Sequence, residues 1–201
     1  MSGPVGVILA GGAATRIGGE KALLPFLSAT LLDAVIARVK CQVASLALNV
    51  RAEAAHSFRE GHSEYPLVFD CLPEGIGPLG GVIAGLAWLC TIPHARWLAT
   101  FPCDTPFLPL DLVTQLTAHA RGRPVFARDD SRIHGVCAIW PVECAATLRA
   151  GVERGALRSI QSALEALGGE TCRIVAGDHA FFNVNTREDL ATAVRLAPHC
   201  P

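Results

Sequence analysis

The sequence predicts an α/β fold in which a mostly parallel central sheet has helices on both faces. Short apolar runs alternate with longer segments whose apolar residues recur at helical spacing, which is the pattern of successive βα units. Runs such as Val5–Ala10 are apolar at every position, as expected for strands that are covered on both faces. With 201 residues, 51% hydrophobic and only 17% charged, the chain is predicted to form one domain, residues 1–201, around a sizeable core.

The first half of the chain is predicted to contain the regular βα units. Strand Val5–Ala10 leads through a glycine-rich loop to a helix over Thr30–Val43, which begins at the capping box Thr30-x-x-Asp33. The further elements predicted in this half are strands at Ser45–Val50, Pro66–Leu72 and Trp97–Phe101 and helices at Arg51–Glu60 and Pro78–Cys90.

The second half is less regular. A last helix is predicted from the capping box Thr186-x-x-Asp189 to Leu196, before Pro198. The other predicted elements are helices at Pro109–Ala120, Val142–Ala150 and Ala156–Leu167 and strands at Pro124–Ala127, Ile133–Trp140, Thr171–Val175 and Phe181–Val184.

Composition argues against several classes of protein. Lys and Arg together number 17 against 18 Asp and Glu, so the chain lacks the basic excess of a nucleic-acid binder. Its apolar runs are too short for a membrane-spanning helix, and its first residues lack the cationic start of a secretory signal, so a cytoplasmic protein is expected. The eight cysteines show no Cys-x-x-Cys spacing and are expected to be reduced thiols in apolar surroundings.

The segment Leu9–Lys21, LAGGAATRIGGEK, has the composition of a polyphosphate-binding loop. Glycines let backbone amides approach a ligand closely, and Arg16 and Lys21 add two cations. The segment has neither the Gly-Lys-Ser/Thr of the P-loop nor the glycine spacing of dinucleotide-binding folds. The alternative interpretation is a flexible strand-to-helix turn with two solvated cations.

Polar residues lie at or just after the carboxyl ends of three predicted strands. These residues are Asn49, Asp70 and Asp104, and in open α/β sheets ligands bind at that edge. Asp104 lies between two prolines in FPCDTPF and is a candidate ligand for Mg²⁺, which prefers one or two carboxylates together with substrate phosphate oxygens. Taken alone, Asp104 is better explained as a turn or helix-cap residue, and its combination with the cationic glycine-rich loop favours the metal ligand.

Two asparagines near the end of the chain are candidate ligand contacts. Asn183 and Asn185 would lie on the same side of the predicted strand, because side chains alternate along a strand. Asn185 is also consistent with a simple lead into the helix capped by Thr186. His134 lies close to Asp130 and Arg132 in RDDSRIH, where a substrate contact is one interpretation and a solvated loop is the favoured one.

Together these motifs resemble those of the molybdenum cofactor guanylyltransferase family. The matching segments are LAGG-x3-Arg-Ile-Gly-x2-Lys, GPLGG at 77–81, FPCDTPF at 101–107 and FFNVNT at 181–186, in an order that fits almost the whole chain. The first segment is similar to a wider group of nucleotidyltransferases with a three-layer, Rossmann-like fold. The last two segments narrow the resemblance to this family.

The resemblance implies transfer of GMP from GTP to molybdopterin that carries molybdenum, with Mg²⁺, giving the guanine dinucleotide cofactor and pyrophosphate. It implies a nucleotide-binding half at about 1–108 and an acceptor half at about 109–201. Arg16, Lys21 and Asp104 resemble the family's catalytic groups, with Asp104 as metal ligand, and Asn183 and Asn185 its pterin-side pair. The residues that resemble its nucleotide contacts are Leu9, Ala10, Gly11, Gly12, Lys21, Asn49, Asp70, Gly80 and Asp104.

Other functions remain open at the level of the sequence. The LAGG loop alone does not fix the base or the acceptor, so a cytidylyltransferase for the same cofactor or a sugar-phosphate nucleotidyltransferase fits too. A carrier that binds the pterin cofactor without turnover is a third possibility, although it would not need the cations and carboxylate of a metal–triphosphate site. Partners implied by the resemblance are other cofactor-biosynthesis proteins and recipient molybdoenzymes.

Overall fold

The computed structural model describes residues 3–11, 20–70 and 76–199. Its strands are β1 (Val5–Leu9), β2 (Pro25–Phe26), β3 (Ala29–Thr30), β4 (Leu46–Val50), β5 (Leu67–Phe69), β6 (Trp97–Pro102), β7 (Val125–Arg128), β8 (Ile133–Pro141) and β9 (Glu170–Arg173). Its α-helices are α1 (Leu31–Val39), α2 (Ala55–His62), α3 (Pro78–Leu89), α4 (Leu112–Ala118), α5 (Cys144–Glu153), α6 (Ile160–Ala166) and α7 (Arg187–Leu196). Short 3-10 helices are Lys21–Leu23, Lys40–Gln42, Ala52–Ala54 and Ala197–His199.

The central sheet has seven strands in the order β5-β4-β1-β6-β8-β7-β9. Strands β5, β4, β1 and β6 run parallel, β8 runs antiparallel to both of its neighbours, and β9 is parallel to β7. The register pairs Leu9 with Asn49 on one side and with Pro102 on the other. The carboxyl ends of β1, β4 and β6 therefore lie level at one edge of the sheet.

Helices cover both faces of this sheet, and each face has its own apolar core. Helices α1, α2 and α4 pack on one face with side chains such as Ile8, while α3, α5 and α6 pack on the other with side chains such as Val7. Because successive side chains of a strand point to opposite faces, β1 supplies both cores. The predicted three-layer α/β fold is confirmed.

A third, smaller apolar cluster joins the last helix to the first. Phe26 of β2 meets Phe107 edge to face with ring centroids 6.2 Å apart, and Leu31, Val184 and Ala193 of α7 complete the cluster. Burial of an aliphatic side chain such as Val184 contributes roughly 1.5–3 kcal/mol. This cluster holds the segment before α7 against the edge where β6 ends.

Two of the predicted elements differ from the structure in kind or in starting residue, and one short hairpin was not predicted. Residues 181–184 are irregular rather than a strand, because Val184 N–H donates to the Asp104 carbonyl oxygen in the turn after β6 instead of to a strand. The helix predicted from Ala156 begins only at Ile160, where Ser159 caps it. The short hairpin of β2 and β3 was not predicted, since two-residue strands carry no periodic signal.

In the described parts of the chain, no helix is both long and apolar enough to cross a membrane.

Candidate functional site

Three residues that are distant in the sequence meet at the carboxyl edge of the sheet. Lys21 Nζ donates to Asp104 Oδ2 at 2.5 Å and to Asn185 Oδ1 at 2.8 Å. Lys21 begins a 3-10 helix, Asp104 follows β6, and Asn185 precedes α7. The side chains of Lys21 and Asp104 are only 15% and 16% exposed. We refer to these three residues as the Lys21–Asp104 cluster, which places a cation between two oxygen atoms.

The start of α7 holds Asn185 in this cluster. The Asp189 carboxylate accepts hydrogen bonds from the backbone N–H groups of Asn185 and Thr186, both at 2.9 Å, and the Thr186 hydroxyl accepts from Asp189 N–H. The hydrogen bond from Asn185 is the main reason why the pKa of Asp189 lies below its ordinary value. The predicted capping box is confirmed, and it fixes the backbone of the residue that contacts Lys21.

A second polar group, the Asn49–Asp70 cluster, lies at the ends of β4 and β5. Asn49, 2% exposed, donates through Nδ2 to Asp70 Oδ1 at 2.8 Å and to the Val68 carbonyl oxygen at 3.2 Å. The first turn of α3 packs directly against this pair. A Cβ at Gly81 would lie 2.3 Å from Asn49 Oδ1, and one at Gly80 would lie 2.9 Å from Asp70 Oδ2. A side chain at position 81 would clash with the buried Asn49 amide, and one at position 80 would make the exposed Asp70 carboxylate shift, so Gly80 and Gly81 complete the cluster.

The end of β1 reaches the same cluster. Ala10 N–H donates to the Asn49 carbonyl oxygen at 2.8 Å, and Leu9 and Ala10 are both buried. A Cβ at Gly11 would lie 3.4 Å from Asn49 Oδ1. The structure thus brings Leu9, Ala10 and Gly11 together with Asn49, whereas Gly12 and Arg16 lie outside the described residues.

An ion pair that was not predicted joins the two described ends of the glycine-rich segment. Arg51 Nη2 lies 2.7 Å from Glu20 Oε1, and the Arg51 side chain lies next to Gly11. Glu20 directly precedes Lys21. No pattern in the sequence pairs residues 20 and 51, since the contact depends on the parallel pairing of β1 with β4.

A cavity of about 200 Å³ lies beside the Lys21–Asp104 cluster, between β8 and the irregular segment 181–183. Thr105, which donates to Asp104 Oδ1 at 3.3 Å, lines its near side, and His134, Phe181 and Asn183 line it further away. We call this space the His134 cavity. The Oδ1 atom of Asn183 is buried and has no hydrogen-bond partner among the described residues. A buried polar atom of this kind is expected to pair with a ligand or water.

The interpretation of His134 as part of a solvated loop is wrong. Its side chain is 10% exposed, and its ring stacks on Phe181 with centroids 4.0 Å apart. Its Nε2 lies 2.8 Å from Asp129 Oδ2. The hairpin of β7 and β8 brings Asp129 and His134 together, and this pairing is not visible from local charge pattern alone.

The thiol closest in sequence to the site is not a nucleophile. Cys103 is buried next to Asp104, and burial raises the pKa of its thiol to about 12. Burial also raises the pKa of the Cys137 thiol, which lines the His134 cavity. A protonated thiol is a weak nucleophile, so these two cysteines act as small apolar side chains.

The fold and the polar clusters at the carboxyl edge of its sheet are those of a nucleotidyltransferase. Residues 6–155 match the family model of the MobA-like NTP transferase domain. The chain is 37% identical over 199 residues to a molybdenum cofactor guanylyltransferase of Mesorhizobium japonicum, covering 95% of this chain and 94% of that protein. It is 36% identical to the enzyme of the same name from Serratia proteamaculans, covering 92% and 90%. The chain belongs to the molybdenum cofactor guanylyltransferase family, which confirms the resemblance of its motifs.

Solved structures of low sequence identity share the fold. The molybdopterin-guanine dinucleotide biosynthesis protein A of Archaeoglobus fulgidus has a TM-score of 0.77 at 21% identity, covering 97% of this chain and 99% of that one. A Mycobacterium tuberculosis protein in complex with manganese has a TM-score of 0.69 at 16% identity, covering 96% and 99%. Nearly the whole chain thus follows one common architecture.

Proposed function

We propose that this protein transfers GMP from GTP to molybdenum-bearing molybdopterin, forming molybdopterin guanine dinucleotide and releasing pyrophosphate. The Lys21–Asp104 cluster is the observation that carries this proposal. It lies between the Asn49–Asp70 cluster on one side and the His134 cavity on the other, so a nucleotide and an acceptor bound at these places would meet at Lys21 and Asp104. The names of the relatives supply the identity of the two substrates.

The Asn49–Asp70 cluster and the end of β1 form the proposed nucleotide side. Leu9, Ala10, Gly11 and Gly12 would contribute backbone groups, and Gly80 lets the first turn of α3 approach closely. The exposed Asp70 carboxylate accepts hydrogen bonds and so suits the N–H donors of a base. Guanine presents a ring N–H next to an amine, whereas cytosine presents an amine without that neighbouring ring N–H.

The donor set of the Lys21–Asp104 cluster fits Mg²⁺. The carboxylate of Asp104 and the amide oxygen of Asn185 already surround one cation, Lys21 Nζ, and oxygen donors are those that Mg²⁺ prefers. Asp104 would hold the ion, together with phosphate oxygens of the substrate. When bound, Mg²⁺ would supply charge neutralisation on the phosphates.

The reaction itself needs little from the protein beyond position and charge. An oxygen of the acceptor's phosphate monoester forms a bond to the α-phosphorus of GTP, and the bond from that phosphorus to the bridging oxygen breaks, releasing pyrophosphate. The attacking oxygen is already ionised near neutral pH, so no strong general base is required. Lys21, and Arg16 from the glycine-rich loop, would offset the charge that builds on the leaving pyrophosphate.

Asn183 and Asn185 form the proposed acceptor side. Asn185 Oδ1 contacts Lys21, and Asn183 lines the His134 cavity and has a buried Oδ1 without a hydrogen-bond partner in the described part of the chain. Both residues precede α7 on one short segment, so an acceptor bound to Asn183 would have its reacting end close to Lys21. Delivery to recipient molybdoenzymes, directly or through other cofactor-biosynthesis proteins, would follow from the same activity.

Pyrophosphate release by the purified protein tests this proposal. GTP, CTP and ATP are compared at equal concentration with Mg²⁺ and molybdopterin or its molybdenum form. Release with GTP alone is the expected result. Release with CTP instead would assign the protein to cytidylyl transfer, release only with a sugar phosphate would replace the acceptor, and tight pterin binding without release would indicate a carrier.

A further inference from the structure

The ring of His134 is held in one orientation from two directions. Phe181 stacks on its face at a centroid distance of 4.0 Å with an interplanar angle of 13°, and Asp129 Oδ2 lies 2.8 Å from its Nε2. Arg132 Nη2 donates to the Phe181 carbonyl oxygen at 3.0 Å, which fastens segment 181–183 to the same hairpin. The ring cannot turn without losing these contacts.

The surroundings of Asp129 keep its carboxylate ionised. Its Oδ1 accepts three hydrogen bonds at 2.7 Å, from Ser131 N–H, the Ser131 hydroxyl and Arg132 N–H. Burial alone would raise the pKa of Asp129, but the hydrogen bonds from Ser131, His134 and Arg132 hold it far below its ordinary value. An ionised carboxylate accepts hydrogen bonds and donates none. The proton of the His134 ring therefore lies on Nε2, and Nδ1 carries a lone pair.

His134 is accordingly a neutral side chain that offers an acceptor. Burial lowers its pKa, more than the neighbouring Asp129 carboxylate raises it. The hydrogen bond that its ring makes among the described residues is that of Nε2 with Asp129, and His134 lines the same cavity as Asn183. The buried Oδ1 of Asn183 has no partner among those residues. Two residues that line the His134 cavity thus carry an acceptor atom, His134 Nδ1 and Asn183 Oδ1, for which the described residues supply no hydrogen-bond donor.

We propose that His134 is a specificity-determining residue that, together with Asn183, accepts hydrogen bonds from two N–H donors of a flat heteroaromatic acceptor. An aminopyrimidinone ring, with a ring N–H beside an amine, has this donor edge. Its identification with the pterin ring of molybdopterin rests on the proposed function. Asp129 acts through His134, as the positioning residue that fixes the tautomer.

The dimensions and polarity of the cavity favour a ring over a phosphate group. Pockets that enclose whole drug-sized ligands measure roughly 300–1,000 Å³, whereas the His134 cavity measures about 200 Å³ and suits one end of a substrate. Arg132 lines the cavity and would attract an anion, but its guanidinium already donates to Phe181. Two lone-pair acceptors repel phosphate oxygens and pair with N–H groups.

The substitution Asp129→Asn tests the tautomer directly. The three donors at Oδ1 would keep the amide oxygen in its place, so the amide NH₂ would face Nε2 and the ring proton would move to Nδ1. The ring ¹⁵N shifts of His134 report the tautomer. We expect protonated Nε2 in the wild type and protonated Nδ1 in Asp129→Asn, which turns the acceptor at the cavity into a donor.

The second measurement is the affinity of the protein for pterin in the absence of GTP and metal. The fluorescence of pterin reports its binding. We expect the affinity for pterin to fall about five- to tenfold in Asp129→Asn and in His134→Phe. The phenylalanine keeps the stack on Phe181 but has no ring nitrogen. The affinity should fall less in His134→Gln. Asp130→Asn is the matched control, because it breaks the exposed ion pair with Arg173 on the same hairpin and leaves His134 untouched. Inorganic phosphate is the competing probe.

The outcomes separate this inference from the proposed function. If pterin affinity falls but no pyrophosphate is released by the wild type, the inference stands and guanylyl transfer is wrong. If the wild type turns over and the variants keep its KM for molybdopterin, the inference alone is wrong. It is also overturned if the wild type does not bind pterin, if phosphate binds in its place, or if the tautomer in the wild type is protonated at Nδ1. Should Asp129→Asn unfold, the two His134 variants decide.

Discussion

The Asn49–Asp70 cluster and the His134 cavity lie on opposite sides of Lys21 and Asp104, and they differ in how their polar groups are satisfied. In the first, the Asn49 amide donates to Asp70 and to the backbone, and α3 packs against it without a gap. In the second, Asn183 has a buried oxygen for which residues 3–11, 20–70 and 76–199 provide no hydrogen-bond partner. The asparagine of the first side is paired within the protein, whereas the asparagine of the second side has an oxygen that the described residues leave without a donor.

This difference follows from the structural elements that form the Asn49–Asp70 cluster and the His134 cavity. The Asn49–Asp70 cluster lies at the ends of parallel strands, whose register fixes every backbone atom. The His134 cavity is closed by segment 181–183, which has no strand partner and is held by side-chain contacts and the cap of α7. We expect the ends of parallel strands to bind a part of the substrate that many enzymes share. We expect an irregular segment to bind a part that is particular to one reaction.

The largest effect on turnover is expected for substitutions of Lys21 and Asp104, which lie between the Asn49–Asp70 cluster and the His134 cavity. Lys21→Ala and Asp104→Ala should each lower turnover at least about tenfold, or roughly 1.4 kcal/mol of barrier. Lys21→Ala removes a cation that faces the reacting phosphates, and Asp104→Ala removes the carboxylate that would hold Mg²⁺. Steady-state pyrophosphate release measures this. Asp104→Ala should also raise the Mg²⁺ concentration needed for half-maximal rate.

The control for these variants lies at the other end of β6. Arg96 and Glu143 form an ion pair of 2.8 Å there, with both side chains exposed, and such pairs contribute about 0–1 kcal/mol. Glu143→Gln should leave turnover unchanged. A rate close to that of the wild type in Lys21→Ala or Asp104→Ala would remove the assigned role of that residue.

Much of the Asn49–Asp70 cluster could be predicted from the sequence, because strand ends follow from apolar runs and parallel strands align their carboxyl ends. Asn49, Asp70 and Asp104 all lie at the predicted edge. The predicted convergence of Lys21 with Asp104 is also found in the structure. These features could be predicted because the pattern of apolar residues that locates each strand and its end is visible in a short stretch of sequence.

The other side could be predicted only in part. Asn183 and Asn185 were singled out, but on a strand that the structure does not contain. The stacking of His134 on Phe181 joins residues 47 positions apart through side chains alone, and no local pattern encodes such a contact. The Glu20–Arg51 ion pair escaped prediction for the same reason.

The second prediction tests how tightly the Asn49–Asp70 cluster is packed. Gly81→Ala places a methyl group 2.3 Å from Asn49 Oδ1, so we expect it to lower the free energy of unfolding by about 1–3 kcal/mol. Urea unfolding measures the change. Gly61→Ala, in α2 with no atom within 4 Å of the added carbon, is the control and should be neutral or stabilise by up to about 1 kcal/mol. Equal stability of the two variants would show that α3 can move away from Asn49.

The third prediction compares Asn49, a buried residue, with Asn183, which is partly exposed but has a buried Oδ1. Asn49→Ala leaves Asp70 without its donor and should cost about 1–3 kcal/mol of stability. Asn183→Ala removes an acceptor that has no partner, so it should leave stability unchanged while it raises the KM for the pterin acceptor about two- to tenfold. The KM for GTP should stay constant in Asn183→Ala. A large loss of stability in that variant would mean that Asn183 serves the fold rather than the substrate.

The smallest effect is expected at the two helix caps. Thr30 caps α1 and Thr186 caps α7, and replacing either by Ala should cost about 1 kcal/mol. Only Thr186→Ala should also raise the KM of the acceptor, because its partner Asp189 holds the backbone of Asn185. An equal rise of this KM in Thr30→Ala would contradict a local role for the α7 cap.

The dependence of stability on pH provides an independent test of the same helix caps. The pKa of Asp189 is lowered by its hydrogen bond from Asn185, and the pKa of Asp33 is lowered by bonds from Thr30 and His62, which outweigh the effect of burial. A carboxyl group with a lowered folded-state pKa stabilises the protein above its unfolded value, about 3.9, and this stabilisation is lost as the pH falls through the folded value. Urea midpoints should therefore decrease below about pH 4. The decrease should be smaller in Asp189→Asn, since asparagine cannot be protonated there, and a decrease equal to that of the wild type would show that the carboxylate does not stabilise the start of α7.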